Sequence, residues 1–173
     1  VLDDATLTAE PSSEDLDVSF ADGRITVGGT LGADQTATVR YTVTVNADGE
    51  RGDNTLGNVL APAGTTDASC DEYGVSCTEH LVPEIESWKA VASDDSPVVA
   101  GSVLEYTLFF ENTGAAAGDV DEIDVLAHVL DDAVLDVESI EASDGLSAEY
   151  DAATGAIAVT GTIAAPEGTA NSV

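Results

Sequence analysis

The chain contains one lysine, Lys89, and its surroundings in the sequence could give it chemistry. A strand here would place Ile85, Ser87, Lys89 and Val91 on one face. If that face is the inner one, the ammonium points toward a core, which is a costly placement. Burial favours the neutral amine of a lysine, and that amine is a nucleophile. The simpler interpretation, and the favoured one, is that Trp88 packs inward and Lys89 lies at the surface, in a salt bridge.

Two cysteines, Cys70 and Cys77, frame a short polar loop. A disulfide between them is favoured over free thiols, and apart from His80 no nearby side chain completes a four-ligand zinc site. Disulfides persist in oxidising compartments, so the pair predicts export. A bridge that closes so short a loop constrains little of the unfolded chain. Its predicted role is local shape and resistance to proteases.

Two acidic runs, Asp48–Asp53 and Asp119–Asp124, raise the question of calcium, which takes six to eight oxygen ligands. The second run lacks the Asp-x-Asp-x-Asp-Gly pattern of a calcium loop. Solvated strand and loop faces explain both runs better. We therefore predict no metal site and no cofactor, and keep calcium as a secondary hypothesis.

Composition and motifs argue against several other functions. Four basic residues stand against 34 carboxylates, for a formal charge of −30, so binding to nucleic acid or to an anionic membrane is excluded. The sequence has no apolar run long enough to insert into a membrane. His80 and His128 have no nucleophile motif beside them, and the chain contains neither Gly-x-Ser-x-Gly nor His-Glu-x-x-His. The sequence predicts that the protein is not an enzyme.

Alternating residues identify the elements that would position these groups. In Gln35–Asn46 the apolar residues fall on one face and the threonines on the other, and Ser102–Asn112 alternates in the same way. Turn residues separate these segments. A short helical turn is predicted at Leu126–Asp132. The further predicted strands lie near Glu84–Ser93, Asp119–Leu126, Val134–Ala142, Leu146–Tyr150 and Ala156–Ile163.

The sequence also repeats itself. Residues 1–7 (VLDDATL) match residues 129–135 (VLDDAVL), and later segments match at an offset that drifts upward. The period is roughly 130 residues, so the chain covers the back part of one repeat and the front part of the next. A polar stretch at residues 63–79 has linker composition. We predict an all-β fold of tandem β-sandwich repeats, divided into residues 1–83 and 84–173.

Several ordered motifs carry a family resemblance. The segments Trp88-Lys89-Ala90, Val99–Leu108 and Glu111-Asn112-Thr113-Gly114 resemble the DUF11-type repeat of bacterial and archaeal surface proteins. The Val-Leu-Asp-Asp-Ala motif, Tyr41–Asn46, Asp53–Val59 and the two-cysteine loop resemble an associated actinobacterial repeat. Ser102 and Trp88 depart from the usual pattern. The resemblance implies Ig-like domains in large exported proteins, often wall-anchored, and it implies no common ligand or reaction.

The same resemblance implies roles for particular residues. In some Gram-positive stalk domains a lysine attacks an asparagine amide, helped by a protonated carboxylic acid, and an intramolecular isopeptide bond forms. The matching parts here are Lys89 as nucleophile, Asp124 or Glu105 as the acid, and an Asn equivalent to Asn58 as acceptor. The equivalent for the second repeat should fall after residue 173, and Asn58 itself should pair with a lysine before residue 1.

We therefore expect an extracellular, non-catalytic structural repeat of a cell-surface stalk, fibre or adhesin, associated with a Gram-positive, actinobacterial-type cell wall. Its partners would be neighbouring repeats or filament subunits. One alternative is an adhesin module that recognises a host or cell-surface glycan or protein, which an exposed aromatic cluster near Trp88 and Tyr73 would favour. Another is a filament subunit completed by a strand from the next subunit.

Overall fold

The computed structural model describes residues 1–65, 68, 70 and 74–167. The chain forms two compact units, Val1–Leu81 and Val82–Val173. In the described residues the helical structure amounts to one short α-helix and one 3-10 turn, so the all-β prediction is confirmed. The strands form small sheets of two or three members, and none of the sheets is closed.

The first unit contains three antiparallel strand pairs. Its strands are β1 (Ala5–Ser12), β2 (Asp17–Ala21), β3 (Arg24–Gly28), β4 (Arg40–Val45), β5 (Asn58–Leu60) and β6 (Ser76–Thr78). β1 pairs with β4, β2 with β3, and β5 with β6. The β1–β4 ladder shifts register twice, and Pro11, which cannot donate to a ladder, lies in the irregular stretch.

The second unit holds one strand pair and one three-stranded sheet. Its strands are β7 (Ile85–Ala92), β8 (Glu105–Asn112), β9 (Gly118–Val125), β10 (Leu146–Asp151) and β11 (Ala156–Ile163). β7 pairs with β8, and the sheet has the order β10-β11-β9 with antiparallel neighbours. The α-helix α1 (Ala127–Leu130) follows β9, as the predicted helical turn requires.

The hairpins β2–β3 and β10–β11 are equivalent in the two units. A glycine near or at the end of the second strand has positive φ in each, 146° at Gly29 and 149° at Gly161. A Cβ on these glycines would meet Leu16 and Leu146 respectively, which match in the repeat alignment. Positive φ of this kind favours glycine. The internal repeat seen in the sequence therefore corresponds to a repeated structure.

The two hairpins differ in the length of their turns. β2 and β3 are joined by Asp22-Gly23, and both residues have positive φ, as two-residue hairpin turns of this type require. β10 and β11 are joined by the longer segment 152–155. The two extra residues explain why the offset grows from 130 residues at Leu16 and Leu146 to 132 residues at Arg24 and Ala156.

Two strand predictions were wrong in whole or in part. Val134–Ala142 forms no strand; it contains a 3-10 turn at Val137–Ser139, and Val134 is 97% exposed. Residues 35–39 lie outside β4, whose ladder with β1 begins at the pair Ser12 and Arg40. Residues 35–39 alternate, but no neighbouring strand in the described part of the chain supplies the hydrogen bonds that a strand needs. Val134–Ala142 does not alternate, because its apolar residues stand at positions 134, 135, 137, 140 and 142.

Little apolar surface is buried in either unit. The buried apolar residues in the described part of the chain are Ala5, Val120, Leu126, Ala156 and Val159. The accessible surface is 12443 Å², whereas a compact monomer of this mass would expose about 7,900 Å² and two separate half-size domains about 9,500 Å². Many apolar residues that a sandwich core would cover are therefore exposed.

Candidate functional site

The β7–β8 pair directs Lys89 toward β9. The register places Ser87 opposite Phe110, Lys89 opposite Leu108 and Val91 opposite Tyr106. Because side chains alternate along a strand, these residues share one face of the pair. Lys89, Leu108 and Phe110 line a cavity of about 190 Å³ together with Glu122, Asp124 and Val159 from β9 and β11.

Lys89 and Asp124 form a two-pronged ion pair at this cavity. Lys89 Nζ lies 2.8 Å from Asp124 Oδ1 and 2.7 Å from Oδ2. The same ammonium lies 4.7 Å from the centroid of the Tyr106 ring, so it is also held by a cation–π contact. The side chain of Lys89 is 35% exposed and that of Asp124 is 15% exposed. The pair, with Asp124 half-buried and Lys89 exposed, links β7 to β9.

Trp88 lies on the opposite face of β7. It stacks on Phe109 of β8, with ring centroids 5.2 Å apart and an angle of 5° between the planes. Trp88 is 48% exposed. The expectation that Trp88 packs inward is therefore wrong, whereas Lys89 is exposed and forms a salt bridge, as the favoured interpretation had it. Tyr73, the other aromatic residue of the predicted cluster, lies outside the described residues.

Glu105 is not beside Lys89. It pairs with Ala92 in the β7–β8 register, and so it falls on the face that carries Trp88. It lines a separate hollow with Ser93, Asp95 and Val103. Of the two carboxylates named as candidate acids, Asp124 is the one in contact with the lysine.

Asn58 belongs to the first unit, where the sequence contains no lysine. It begins β5, and its side-chain amide donates a hydrogen bond of 2.6 Å to the Tyr41 hydroxyl. In the described part of the second unit, Asn112 is buried and its amide donates to the carbonyls of Ala116 and Ile163. Asn112 therefore has a structural role at the end of β8.

Cys70 and Cys77 form the predicted disulfide, with Cα atoms 5.7 Å apart. Cys77 lies in β6 opposite Val59 of β5. The sequence analysis did not predict either of these short strands, because each has only three residues and neither shows clear alternation. The disulfide thus fastens the loop between β5 and β6 to the end of its own hairpin.

The acidic run Asp119–Asp124 lies along β9, and its carboxylates have separate partners. Asp119 accepts a hydrogen bond of 2.8 Å from the Thr162 hydroxyl, while Asp124 binds Lys89. These residues form no group of three metal-ligating side chains, whereas Asp53 of the other run belongs to such a group with Asp3 and Asp4. Within the described residues, no helix is long and apolar enough to cross a membrane.

Comparison with known proteins gives one family. Searches of curated proteins and of solved structures each returned no match. One family model, described as a domain of unknown function (DUF7927), matches residues 1–82 and 84–172. This match is compatible with a DUF-type repeat but gives no support for the expected DUF11 or Ig-like identity, which stays a prediction. Because the matched stretches cover nearly the whole sequence, the chain belongs to the DUF7927 family of domains of unknown function.

Proposed function

We propose that this chain is a non-catalytic structural segment of an extracellular tandem-repeat protein, a stalk or adhesin at a cell surface. The observation that carries the proposal is the repeated hairpin, β2–β3 and β10–β11, in two units that both match one family model. Repetition of one domain extends a chain without requiring a reaction in any copy. The disulfide adds support, because such bonds persist in oxidising compartments.

The surface location can be tested on intact cells of the source organism. An antiserum raised against this chain should label them in immunogold electron microscopy. Serum adsorbed with the purified chain is the control and should give no label. Labelling that appears only after the cells are broken open would contradict an extracellular role.

We propose that the Lys89–Asp124 pair stabilises the contact between β7 and β9. The pair does so as an ion pair, and it also supplies two of the three groups of an isopeptide site, the lysine and the carboxylic acid. For the bond to form, Lys89 Nζ passes a proton to Asp124 and attacks Cγ of an asparagine amide. The bond from Cγ to the amide nitrogen then breaks, and that nitrogen takes up the second proton lost by Lys89 Nζ and leaves as ammonia. The acceptor would be an Asn equivalent to Asn58 in the repeat that contains Lys89.

Intact mass spectrometry of a longer tandem-repeat chain tests whether the isopeptide bond forms. One bond lowers the mass by about 17 Da, and reduction of the disulfide does not reverse the change. Lys89→Arg keeps the positive charge but should abolish the loss in its repeat. An unmodified mass in the parent chain would leave only the ion pair.

A second candidate function is assembly by strand addition, and the two units give a specific reason for it. β11 carries β9 on the edge away from β10, whereas β3, its equivalent, pairs with β2 alone among the described strands. β1 pairs with β4, whereas the equivalent segment after Ala133 has no ladder. In each unit, therefore, one segment lacks a strand partner that the equivalent segment of the other unit has. A strand of another repeat could pair there.

A proline at the open edge of β3 tests strand addition. Ala21 and Arg24 flank a two-residue turn, so this pair and every second pair after it exchange hydrogen bonds across the hairpin. The N–H of Val27 then faces the open edge. Val27→Pro should abolish concentration-dependent association in analytical ultracentrifugation, and Val27→Thr, which keeps the N–H, should not. A parent chain that stays monomeric at all concentrations would contradict assembly through this edge.

A further inference from the structure

Three carboxylates from two distant parts of the sequence meet in the first unit. Asp3 and Asp4 lie just before β1, and Asp53 lies in the loop that follows β4. One oxygen from each carboxylate lies within 4.8 Å of the others. Like charges at this distance repel one another. The Val1 ammonium, 3.1 Å from Asp3 Oδ1, offsets part of that repulsion, and a bound cation would offset the rest.

Asp4 makes this cluster unlike an ordinary acidic patch. It is 0% exposed, and its Oδ1 accepts hydrogen bonds from the backbone N–H groups of Gly52 (2.9 Å) and Asn54 (3.0 Å). Its Oδ2 is buried and has no hydrogen-bond partner. A buried carboxylate oxygen without a partner is costly. One carboxylate oxygen each of Asp3 and Asp53 lies within 4.8 Å of a carboxylate oxygen of Asp4, so a cation there would offset the charge of all three.

The surrounding backbone is shaped around these carboxylates. The N–H of Asn46 donates to the carbonyl of Asp4 at 2.8 Å. A Cβ on Gly52 would lie 2.9 Å from Asp3 Oδ2, so the loop approaches that carboxylate closely. Asp53 Oδ1 accepts from the N–H of Thr55 at 3.0 Å, which fixes the direction of its side chain. Backbone N–H groups therefore hold Asp4 and Asp53 in place, and the Val1 ammonium contacts Asp3.

Arg51 stabilises the same loop from its other side. Its guanidinium donates to Asn54 Oδ1 (2.6 Å), to the Asn46 carbonyl (2.8 Å) and to Asp48 Oδ1 (2.6 Å). These contacts span both ends of the loop, and the arginine side chain is almost fully buried. The loop thus has its own scaffold, so a variant at an exposed carboxylate can lose a ligand without losing the loop.

We propose that Asp3, Asp4 and Asp53 bind a calcium ion that ties the start of β1 to the loop after β4. The three side chains supply oxygen ligands only, which suits a hard cation. Calcium accepts irregular oxygen sets completed by water and backbone carbonyls, whereas magnesium demands near-ideal octahedral geometry and releases its water reluctantly. The site is independent of the proposed function, and neither acidic run of the sequence forms it alone.

The second copy of the motif provides a matched control. Asp131 and Asp132 occupy the positions of Asp3 and Asp4 in the repeat, and both are exposed. They belong to no group of three metal-ligating residues in the described part of the chain. Asp131→Asn therefore removes the same charge from the same local sequence without touching the proposed site.

Isothermal titration of CaCl₂ into the chelator-treated chain, at fixed ionic strength, tests the proposal. We expect one saturable site with a dissociation constant on the order of 10⁻⁴ to 10⁻³ M, as in extracellular calcium modules. Asp53→Asn, which keeps the acceptor for Thr55, should weaken binding at least tenfold, and Asp3→Asn should do the same. Asp131→Asn should leave the affinity unchanged. MgCl₂ should bind more weakly than CaCl₂ to the parent chain.

Thermal unfolding separates a lost ligand from a lost fold. Without calcium, Asp53→Asn should melt at or above the temperature of the parent chain, because it removes a repelling charge. With calcium, the parent should gain melting temperature and Asp53→Asn should not. Heats that never saturate, or equal effects of Asp53→Asn and Asp131→Asn, would mean diffuse attraction of counterions and would overturn the site.

Discussion

At the scale of single residues, the most informative contact is the ion pair of Lys89 and Asp124. An exposed ion pair adds little stability, but Asp124 is largely covered, and removal of its partner leaves a carboxylate with little access to water. The Tyr106 ring makes a cation–π contact with the same ammonium and so helps to hold it beside Asp124. The pair therefore affects the free energy of unfolding mainly through the cost of removing only one of its two partners.

A double-mutant cycle measures the interaction free energy of Lys89 and Asp124. Lys89→Met keeps the aliphatic stem and should lower the free energy of unfolding of the second unit by about 1 kcal/mol, after allowance for the partial exposure of the lysine. Adding Asp124→Asn should restore part of the loss. Asp121→Asn, which removes a charge from the other face of β9, is the control in urea unfolding. Additive effects of Lys89→Met and Asp124→Asn would show that the two groups do not interact.

Asp151 gives a residue-scale prediction about pH. Hydrogen bonds from the Ala153 N–H (2.8 Å) and the Thr154 hydroxyl (3.0 Å) hold the pKa of this carboxyl below its usual value. A lowered pKa in the folded state means that the stabilisation is complete above the unfolded pKa and is lost as pH falls through the folded one. The melting-temperature difference between the parent and Asp151→Asn should thus be positive at pH 7 and vanish in acid. A constant difference would contradict this.

At the scale of elements, the equivalence of the two hairpins leads to a prediction about Gly161. Its φ of 149° is unfavourable for other residues, and an added Cβ would collide with the Gly145 carbonyl oxygen and press on Leu146. Gly161→Ala should lower the free energy of unfolding by about 2–3 kcal/mol. Gly28→Ala is the control, because a Cβ there meets nothing and the φ is ordinary. Equal melting temperatures for Gly161→Ala and Gly28→Ala would contradict the close approach of the Gly145 carbonyl to Gly161.

The sequence predicted elements best where a strand and its partner are both present. Alternation identified β7 and β8, and the register then placed Lys89 on the face that contacts Asp124. The strand prediction failed at Val134–Ala142, where apolar residues are frequent but do not alternate and where the structure has no strand. The cluster of Asp3, Asp4 and Asp53 could not be predicted, since about fifty residues separate its two parts and only the fold brings them together. The acidic run Asp48–Asp53, which contains one ligand, and the Asp-Asp motif repeated at Asp131 were the available signals.

At the scale of the whole molecule, charge and exposed surface act together. The formal charge of −30 is spread over a chain whose surface exceeds that of a compact protein of its mass. Like charges repel across such a surface, and the folded state gathers them more closely than the unfolded chain does. Little buried apolar surface is available to oppose that repulsion. The solvent's ions should therefore have an unusually large influence on stability.

We expect the melting temperature to rise steadily between about 0.01 M and 1 M NaCl, because the screening length falls from about 30 Å to 3 Å over this range. Asp53→Asn should respond to NaCl nearly as the parent does, since it changes one charge among many, even though it should lose its response to calcium. This pair of responses separates general screening from a bound ion in one variant. A melting temperature that is independent of salt would mean that the carboxylates are already compensated in the folded chain.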